Sequence, residues 1–120
     1  MKNFRELQIW NRSHRLTLEI YRITHVFPKT ETYGLVSQMR RSVSSIPTNI
    51  AEGCGRNTEK DFARFLDNAM GSASELEYQL ILAHDLEYIS KDAYESTNRE
   101  LIEIKRMLNA FIQKLRAVGD

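Results

Sequence analysis

The sequence has few of the residues that interrupt helices or cross-link chains, with one cysteine, two prolines and five glycines among 120 residues. A single cysteine excludes a disulfide within the chain and gives no sign of an oxidising compartment. No stretch approaches the ~18 consecutive apolar residues of a membrane span. The first residues are charged without an apolar run behind them, so they do not resemble a signal peptide. These absences favour a cytoplasmic protein without a membrane segment.

Net charge is also small, at +1, but it is unevenly distributed. Residues 1–56 carry nine Lys/Arg and four Asp/Glu, a balance of +5, whereas residues 57–120 carry eight and twelve, a balance of −4. The near-neutral total argues against a general polyanion binder, although a single basic face remains compatible with it. The asymmetry equally suits neighbouring helices, or neighbouring subunits, that attract each other.

Apolar residues recur at helical spacing in four segments, and no segment alternates as a strand does. We predict helices at residues 5–25, 31–54, 59–88 and 91–117. The fourth is the clearest, because the positions of its expected core seam alternate spacings of three and four residues. These positions are Tyr94, Thr97, Leu101, Ile104, Leu108, Phe111, Leu115 and Val118. With connections this short, the expected fold is all-α, an antiparallel up-down-up-down four-helix bundle that forms one domain of residues 1–120.

Single residues predict how these helices begin and end. Thr58 and Ser90 are expected N-caps of the third and fourth helices. Gly53 and Gly55 are expected to end the second helix, because glycine accepts the left-handed conformation there. Pro47 lies within the second helix, where it removes one hydrogen bond. We expect a modest kink at Pro47, and a break into two helices is the alternative.

Two helices carry more apolar positions than one buried seam requires. Helix one has a second stripe at Leu7, Trp10, His14, Leu18 and Tyr21. Helix three has a second set at Met70, Tyr78, Ile81, Leu82 and Tyr88. One seam per helix is enough for a monomeric bundle, so the extra stripes predict a second buried surface. Another copy of the same chain is the simplest source of that surface, and we therefore expect a homo-oligomer.

Two groups of cations are candidates for contacts with RNA phosphates or another anion. The first lies on one side of helix one and comprises Arg5, Arg12, Arg15 and Arg22. The second lies near the start of helix three and comprises Arg56 and Lys60. Each group has a plainer alternative. The first suits a salt-bridging face against the acidic fourth helix or a neighbouring subunit, and the second suits solvated charges at a connecting turn.

Polar residues also recur on otherwise apolar faces of helices two and three, at Arg40, Arg41, Ser45, Asn49, Glu52, Ser72 and Glu75. We predict an interhelical or intersubunit polar network in which Arg40 or Arg41 neutralises a carboxylate.

Enzyme chemistry has weak support in this sequence. Glu52 and Glu75 are the only candidates for acid–base work. The sequence has no Glu-x-x-His motif, its histidines lack ligand spacing, and Cys54 ends an apolar seam. We therefore expect no enzyme, no catalytic residue, no metal, no cofactor and no small-molecule substrate.

Four stretches together resemble a known family, at residues 4–10 (FRELQIW), 33–41 (YGLVSQMRR), 45–53 (SIPTNIAEG) and 65–77 (FLDNAMGSASELE). They are similar to the bacterial four-helix-bundle family, which is also called the 23S ribosomal RNA intervening-sequence protein family. The Asn-Ile-Ala-Glu-Gly and Gly-Ser-x-x-Glu pieces make the resemblance specific, and it covers nearly the whole chain.

The resemblance implies an up-down bundle that assembles as a homopentamer and has no established catalytic residue. Members are encoded in or near insertions within large-subunit ribosomal RNA genes. A related branch, the accessory variability determinant proteins of diversity-generating retroelements, forms a basic barrel that binds RNA and a reverse transcriptase. This chain departs from that branch in its near-neutral charge. The expected function is a scaffold for structured RNA or an RNA-handling protein, and the alternative is a purely protein-interacting or structural oligomer.

Overall fold

Four α-helices make up most of residues 3–119, the part of the chain that this computed structural model describes. They are α1 (Gln8–Thr24), α2 (Leu35–Cys54), α3 (Glu59–Asp85) and α4 (Lys91–Gly119), with short 3-10 turns at Phe4–Glu6 and Lys29–Glu31. Residues 3–119 contain no strand. The predicted single domain also includes residues 1, 2 and 120, which lie outside the described residues.

Each helix packs against the next one in the chain, and α4 packs back against α1. The α2–α3 contact is the most extensive and the α1–α4 contact the least, while the backbones of the diagonal pairs α1–α3 and α2–α4 stay more than 8 Å apart between Cα atoms. Short connections make successive helices antiparallel. The principal extents of 47 × 23 × 20 Å fit rods packed lengthwise. The predicted all-α antiparallel four-helix bundle is confirmed. Among residues 3–119, none of the helices combines the length and apolar character that a membrane span needs.

The core is one continuous cluster to which every helix contributes its predicted seam. Fully enclosed members include Ile20 of α1, Met39 of α2, Leu76 of α3 and Leu108 of α4. Cys54 is buried at the end of the α2 seam. The seam predicted for the fourth helix ends early, because Val118 is 70% exposed.

Helices one and two begin later than predicted. Asn3 accepts a hydrogen bond from the backbone N–H of Arg5 at 3.1 Å and starts a separate 3-10 turn, after which Leu7 is extended. Before α2, the carboxylate of Glu31 accepts a hydrogen bond from the backbone N–H of Leu35 at 3.1 Å. Both helices therefore start where a side chain or the backbone satisfies the first N–H groups, not where the apolar pattern begins.

Helix α3 ends three residues before its predicted end because Glu87 has a φ of 64°. The N–H of Tyr88 bonds the carbonyl of Ala83 at 2.9 Å, and the N–H of Glu87 bonds that of His84 at 2.9 Å. This pair of bonds is the Schellman arrangement, in which the left-handed position is usually glycine. The predicted caps of the next helices are confirmed, since Thr58 accepts from the N–H of Asp61 at 3.0 Å and Ser90 from that of Ala93 at 3.1 Å.

The reason given for the glycines that end α2 is wrong. Neither has a positive φ, and Gly55 has right-handed helical geometry. Gly53 is buried inside the last turn of α2, where an added Cβ would lie 2.7 Å from the ring of Phe62 and 3.1 Å from the Cβ of Phe65. Its role is therefore to let α2 and α3 approach closely.

Pro47 does not break α2, which is continuous from Leu35 to Cys54. Because proline has no N–H, the carbonyl of Val43 loses its helical donor. The hydroxyl of Thr17 on α1 reaches that carbonyl at 3.2 Å and also the carbonyl of Ser13 at 2.8 Å. The Thr17 hydroxyl of α1 thus supplies a donor to the Val43 carbonyl, which has no helical partner because of Pro47.

We expect Gly53→Ala to lower the free energy of unfolding by about 1–3 kcal/mol, because the methyl group overpacks against the buried Phe62 ring. The matched control is Gly71→Ala within α3, where nothing lies within 4 Å of the added Cβ. That change is expected to raise stability by about 0.5–1 kcal/mol through helix propensity alone. Urea unfolding of both variants measures the difference, and equal effects would contradict the close-approach role of Gly53.

Candidate functional site

The arginines predicted on helix one do not form a free cationic stripe. Arg12 binds both carboxylate oxygens of Glu100 on α4, with its Nε and Nη2 each at 2.8 Å, and Glu103 lies 3.9 Å away. The hydrogen bonds and charge of Glu100 raise the pKa of Arg12 against the opposing effect of burial. Bidentate arginine–carboxylate pairs are geometrically specific, so Arg12 holds α1 to α4.

The other three arginines differ from Arg12. Arg22 pairs with Glu19 on its own helix, and the hydrogen bond from Arg22 lowers the pKa of Glu19. Arg5 precedes α1 and lies 4.7 Å over the ring of Phe4. Arg15 is exposed, and the ion pairs among residues 3–119 do not include it. Of this group, Arg12 forms the bridge to α4 that the salt-bridging alternative expects, and contacts of Arg5, Arg15 and Arg22 with RNA stay a prediction.

Arg56 and Lys60 lie at the α2–α3 connection but do not share one anion cradle. The Arg56 guanidinium lies 4.4 Å over the ring of Phe65, and Lys60 is exposed in the first turn of α3. Glu59 and Asp61 occupy the same turn and already supply the negative charge that the helix N-terminus favours.

Three residues of the predicted polar network are hydrogen-bonded. Ser72 on α3 donates from its hydroxyl to the Ser45 hydroxyl on α2 at 2.8 Å. The side-chain amide of Asn49 donates to the Ser45 hydroxyl at 3.0 Å and to its carbonyl at 2.8 Å. These bonds join α2 to α3 at small side chains and add an interhelical link to the close approach at Gly53.

The charged residues of the predicted network lie elsewhere. Arg40 contacts α1, donating to the Thr24 hydroxyl at 3.0 Å and to the Tyr21 carbonyl at 3.2 Å. Arg41, Glu52 and Glu75 are exposed. The expectation that Arg40 neutralises a carboxylate within the chain is wrong, because its guanidinium is bound to oxygens of Thr24 and Tyr21 and stacks on the Tyr21 ring at 4.6 Å. The intersubunit part of the network stays a prediction.

In the part of the chain that the structure describes, no three or more His, Cys, Asp or Glu residues are placed to hold a metal ion. Glu52 on α2 and Glu75 on α3, the candidates for acid–base work, are both exposed.

Two apolar surfaces stay uncovered within the chain. One surrounds an ion pair between α4 and α3, in which Nζ of Lys105 lies 2.7 Å from Oε1 of Glu77. Tyr78, Ile81 and Ile102 are 61%, 41% and 43% exposed around it. We call these three residues the α3–α4 patch. Helical register places Ile81 and Ile102 side by side, because each is about one turn from the bridging residue of its own helix.

The second surface is a groove of ≈ 410 Å³ where α1 and α4 separate near one end of the bundle. Its apolar lining includes Leu7, Ile9, Met107, Ala110, Phe111 and Val118, and Arg106 and Lys114 are on its rim. We call it the α1–α4 groove. The apolar period had assigned Phe111 and Val118 to the core seam. Phe111 is partly buried and its ring packs on that of Phe62 at 5.3 Å, whereas Val118 is exposed. The signal that could have placed Val118 outside the core is the late start of α1, which leaves the last turns of α4 with little opposite them.

The helix order, the antiparallel packing and the absence of strands among residues 3–119 define an all-α four-helix bundle. The profile of the family described as 23S rRNA-intervening sequence protein matches residues 5–110. This chain belongs to that family.

A solved structure supports the same assignment. The crystal structure of a protein with unknown function from the S23 ribosomal protein family of Bacteroides thetaiotaomicron is 30% identical to this chain. It superposes with a TM-score of 0.78 over 87% of this chain and 97% of the other. The curated proteins provide no match.

Proposed function

We propose that this protein is a non-enzymatic homo-oligomeric scaffold in which the α3–α4 patch of one copy packs into the α1–α4 groove of the next. The exposed apolar area carries this proposal, because Tyr78, Ile81 and Ile102 lie together on the surface of one subunit. Large exposed apolar clusters are typical of interaction sites. A groove with an apolar floor accommodates such side chains.

Charge favours the same pairing of surfaces. The residues that line the groove include two cations, Arg106 and Lys114, and one carboxylate, Glu59, and Arg106 is paired with Glu103 on its own helix. Exposed Lys114 supplies the positive charge at the rim. The outer face of α3 near the patch carries the exposed carboxylates of Glu75 and Asp85. Opposite charges around an apolar centre set the orientation of a contact and exclude wrong ones.

A contact between two different surfaces is head-to-tail, and such contacts form either closed rings or open filaments. The patch and the groove lie on neighbouring faces of the bundle that share α4, so each added copy is rotated relative to the last. A rotation that closes after a whole number of copies gives a ring. We propose five copies, the number that the family resemblance implies.

A mixing experiment tests the two-surface contact. Ile81→Arg places a cation against the basic rim, and Ala110→Arg fills the groove, so each variant alone is expected to be monomeric. A mixture retains one intact patch and one intact groove and is therefore expected to form a dimer. Light scattering coupled to size-exclusion chromatography measures all three masses.

Gln113→Arg is the matched control, because it adds the same charge at an exposed position of α4 outside the groove lining. It is expected to assemble as the wild type does. A monomeric wild type would overturn the proposal. An Ala110→Arg variant that still assembles fully would overturn the role of the groove.

We further propose that the ligand of the assembly is RNA. The family description supports this role, since it refers to 23S rRNA. Exposed Arg15 and Arg41 support it too, because cations that are not already neutralised are available to phosphates. The second candidate is a structural or protein-interacting oligomer without a nucleic-acid role, and the modest net charge of +1 favours it.

A salt titration separates the two candidates. If the scaffold binds an RNA hairpin, the logarithm of the association constant should fall linearly with the logarithm of salt concentration, with a slope of roughly −0.7 to −0.9 per neutralised phosphate. Fluorescence anisotropy of a labelled hairpin measures this slope. Absence of binding at low salt, with partner proteins retained after nuclease treatment, would leave the protein-interacting oligomer as the function.

A further inference from the structure

The outer face between α1 and α2 combines aromatic rings with arginines that are not paired to carboxylates. At one end, Arg40 stacks on Tyr21 at 4.6 Å, and Tyr33 is 96% exposed beside them. At the other end, Phe4 packs against Trp10 at 4.9 Å, and Trp10 stacks parallel to His14 at 5.0 Å. We call this surface the α1–α2 face.

Two shallow grooves follow one another along this face. The first, of ≈ 420 Å³, is lined by Tyr21, Tyr33, Arg40 and Arg41 among others. The second, of ≈ 430 Å³, is lined by Trp10, His14, Pro47 and Thr48 among others. Ser44 lines both grooves, so they form one trough between α1 and α2.

The charge of this trough is positive in its first groove. Arg40 and Arg41 line that groove, whereas Glu52 is the carboxylate among the residues that line the second. Arg40 binds oxygens of α1 through Nε and Nη2 and stacks on Tyr21, and its other N–H groups remain donors, as do those of exposed Arg41. The charge of the first groove is therefore complementary to phosphate.

The floor of the trough is polar and suits an occupant that carries hydrogen-bond donors. Ser37, Ser44 and Thr48 line it with hydroxyl groups between the aromatic side chains. The hydroxyls of Ser44 and Thr48 donate to the carbonyls of Arg40 and Ser44, each at 2.8 Å, and their oxygens keep lone pairs that accept from the amino groups of bases. Rings that project beside such groups stack on bases that are not already paired.

We propose that the α1–α2 face binds unpaired nucleotides of RNA, with bases stacked on Tyr33 and His14 and phosphates bound by Arg40 and Arg41. This site deepens the proposed RNA-binding function and rests on it. It differs from the arginine group of helix one, because Arg12 bridges to α4 and Arg22 pairs with Glu19. It also leaves the α3–α4 patch and the α1–α4 groove available to other copies.

The intact protein can be tested with a ten-nucleotide single-stranded RNA and with the same sequence in a duplex. Trp10 is the only tryptophan, so its fluorescence reports binding at this face directly. We expect the single strand to change Trp10 emission and to bind at least about tenfold more tightly than the duplex, because only unpaired bases are free to stack. Equal affinity for both forms would contradict the proposal.

Two exposed positions test the residue assignment without disturbing the core. Tyr33→Ser and Arg41→Gln are each expected to weaken single-strand binding by about five- to tenfold, the lower end of the effect of losing one stacking platform. Arg99→Gln is the matched control, because it removes the same charge from an exposed site on α4 outside the trough lining. It is expected to change affinity less than twofold.

Two negative results have different meanings. If neither RNA form nor a hairpin binds at low salt, the RNA-binding function itself fails, and this site fails with it. If RNA binds but Tyr33→Ser and Arg41→Gln match the wild type while Arg99→Gln weakens binding, the RNA-binding function stands and the assignment to the α1–α2 face is wrong.

Discussion

The close packing of α2 against α3 is the constraint on which the rest of this bundle depends. Gly53 has no side chain where the Phe62 ring lies, and the Ser45–Ser72 hydrogen bond crosses the same interface. These contacts fix the register of the two helices, and register determines which apolar residues meet in the core. Helix α1 then packs on α2, with the Thr17 hydroxyl at the carbonyl left open by Pro47, and α4 packs on α3.

The remaining edge of the bundle is held differently. The α1–α4 contact is the least extensive of the four, and a bidentate ion pair between Arg12 and Glu100 spans it. Toward the start of α1 and the end of α4 the two helices separate and leave the α1–α4 groove. A bundle with three well-packed edges and one open edge thus leaves an apolar recess at its surface while its own core stays closed. The α1–α2 face, by contrast, is polar at its floor and positively charged in its first groove.

Much of this fold could be predicted from local pattern, because helical seams and N-caps involve residues a few positions apart. Thr58 and Ser90 cap as their neighbours indicate. Features that depend on distant partners could not be predicted. Gly53 is required because the ring of Phe62 on α3 occupies the space of a side chain. Arg12 pairs with Glu100, which lies 88 positions away in the sequence, and Glu87 has a positive φ, which is usual for glycine. The same limit explains why sequence grouped the helix-one arginines and missed the α1–α2 face, whose members come from two helices.

Hydrogen exchange of backbone amides tests the central role of the α2–α3 pair most directly. Amides in the middle of α2 and α3 should exchange only through global unfolding, because their helices share the most extensive contact. Amides near the start of α1 and the end of α4 should exchange through smaller openings, since the α1–α4 edge is thin. If instead the slowest amides lay in α1 or α4, and those of α2 and α3 exchanged earlier, the α2–α3 pair would not be the base of the fold.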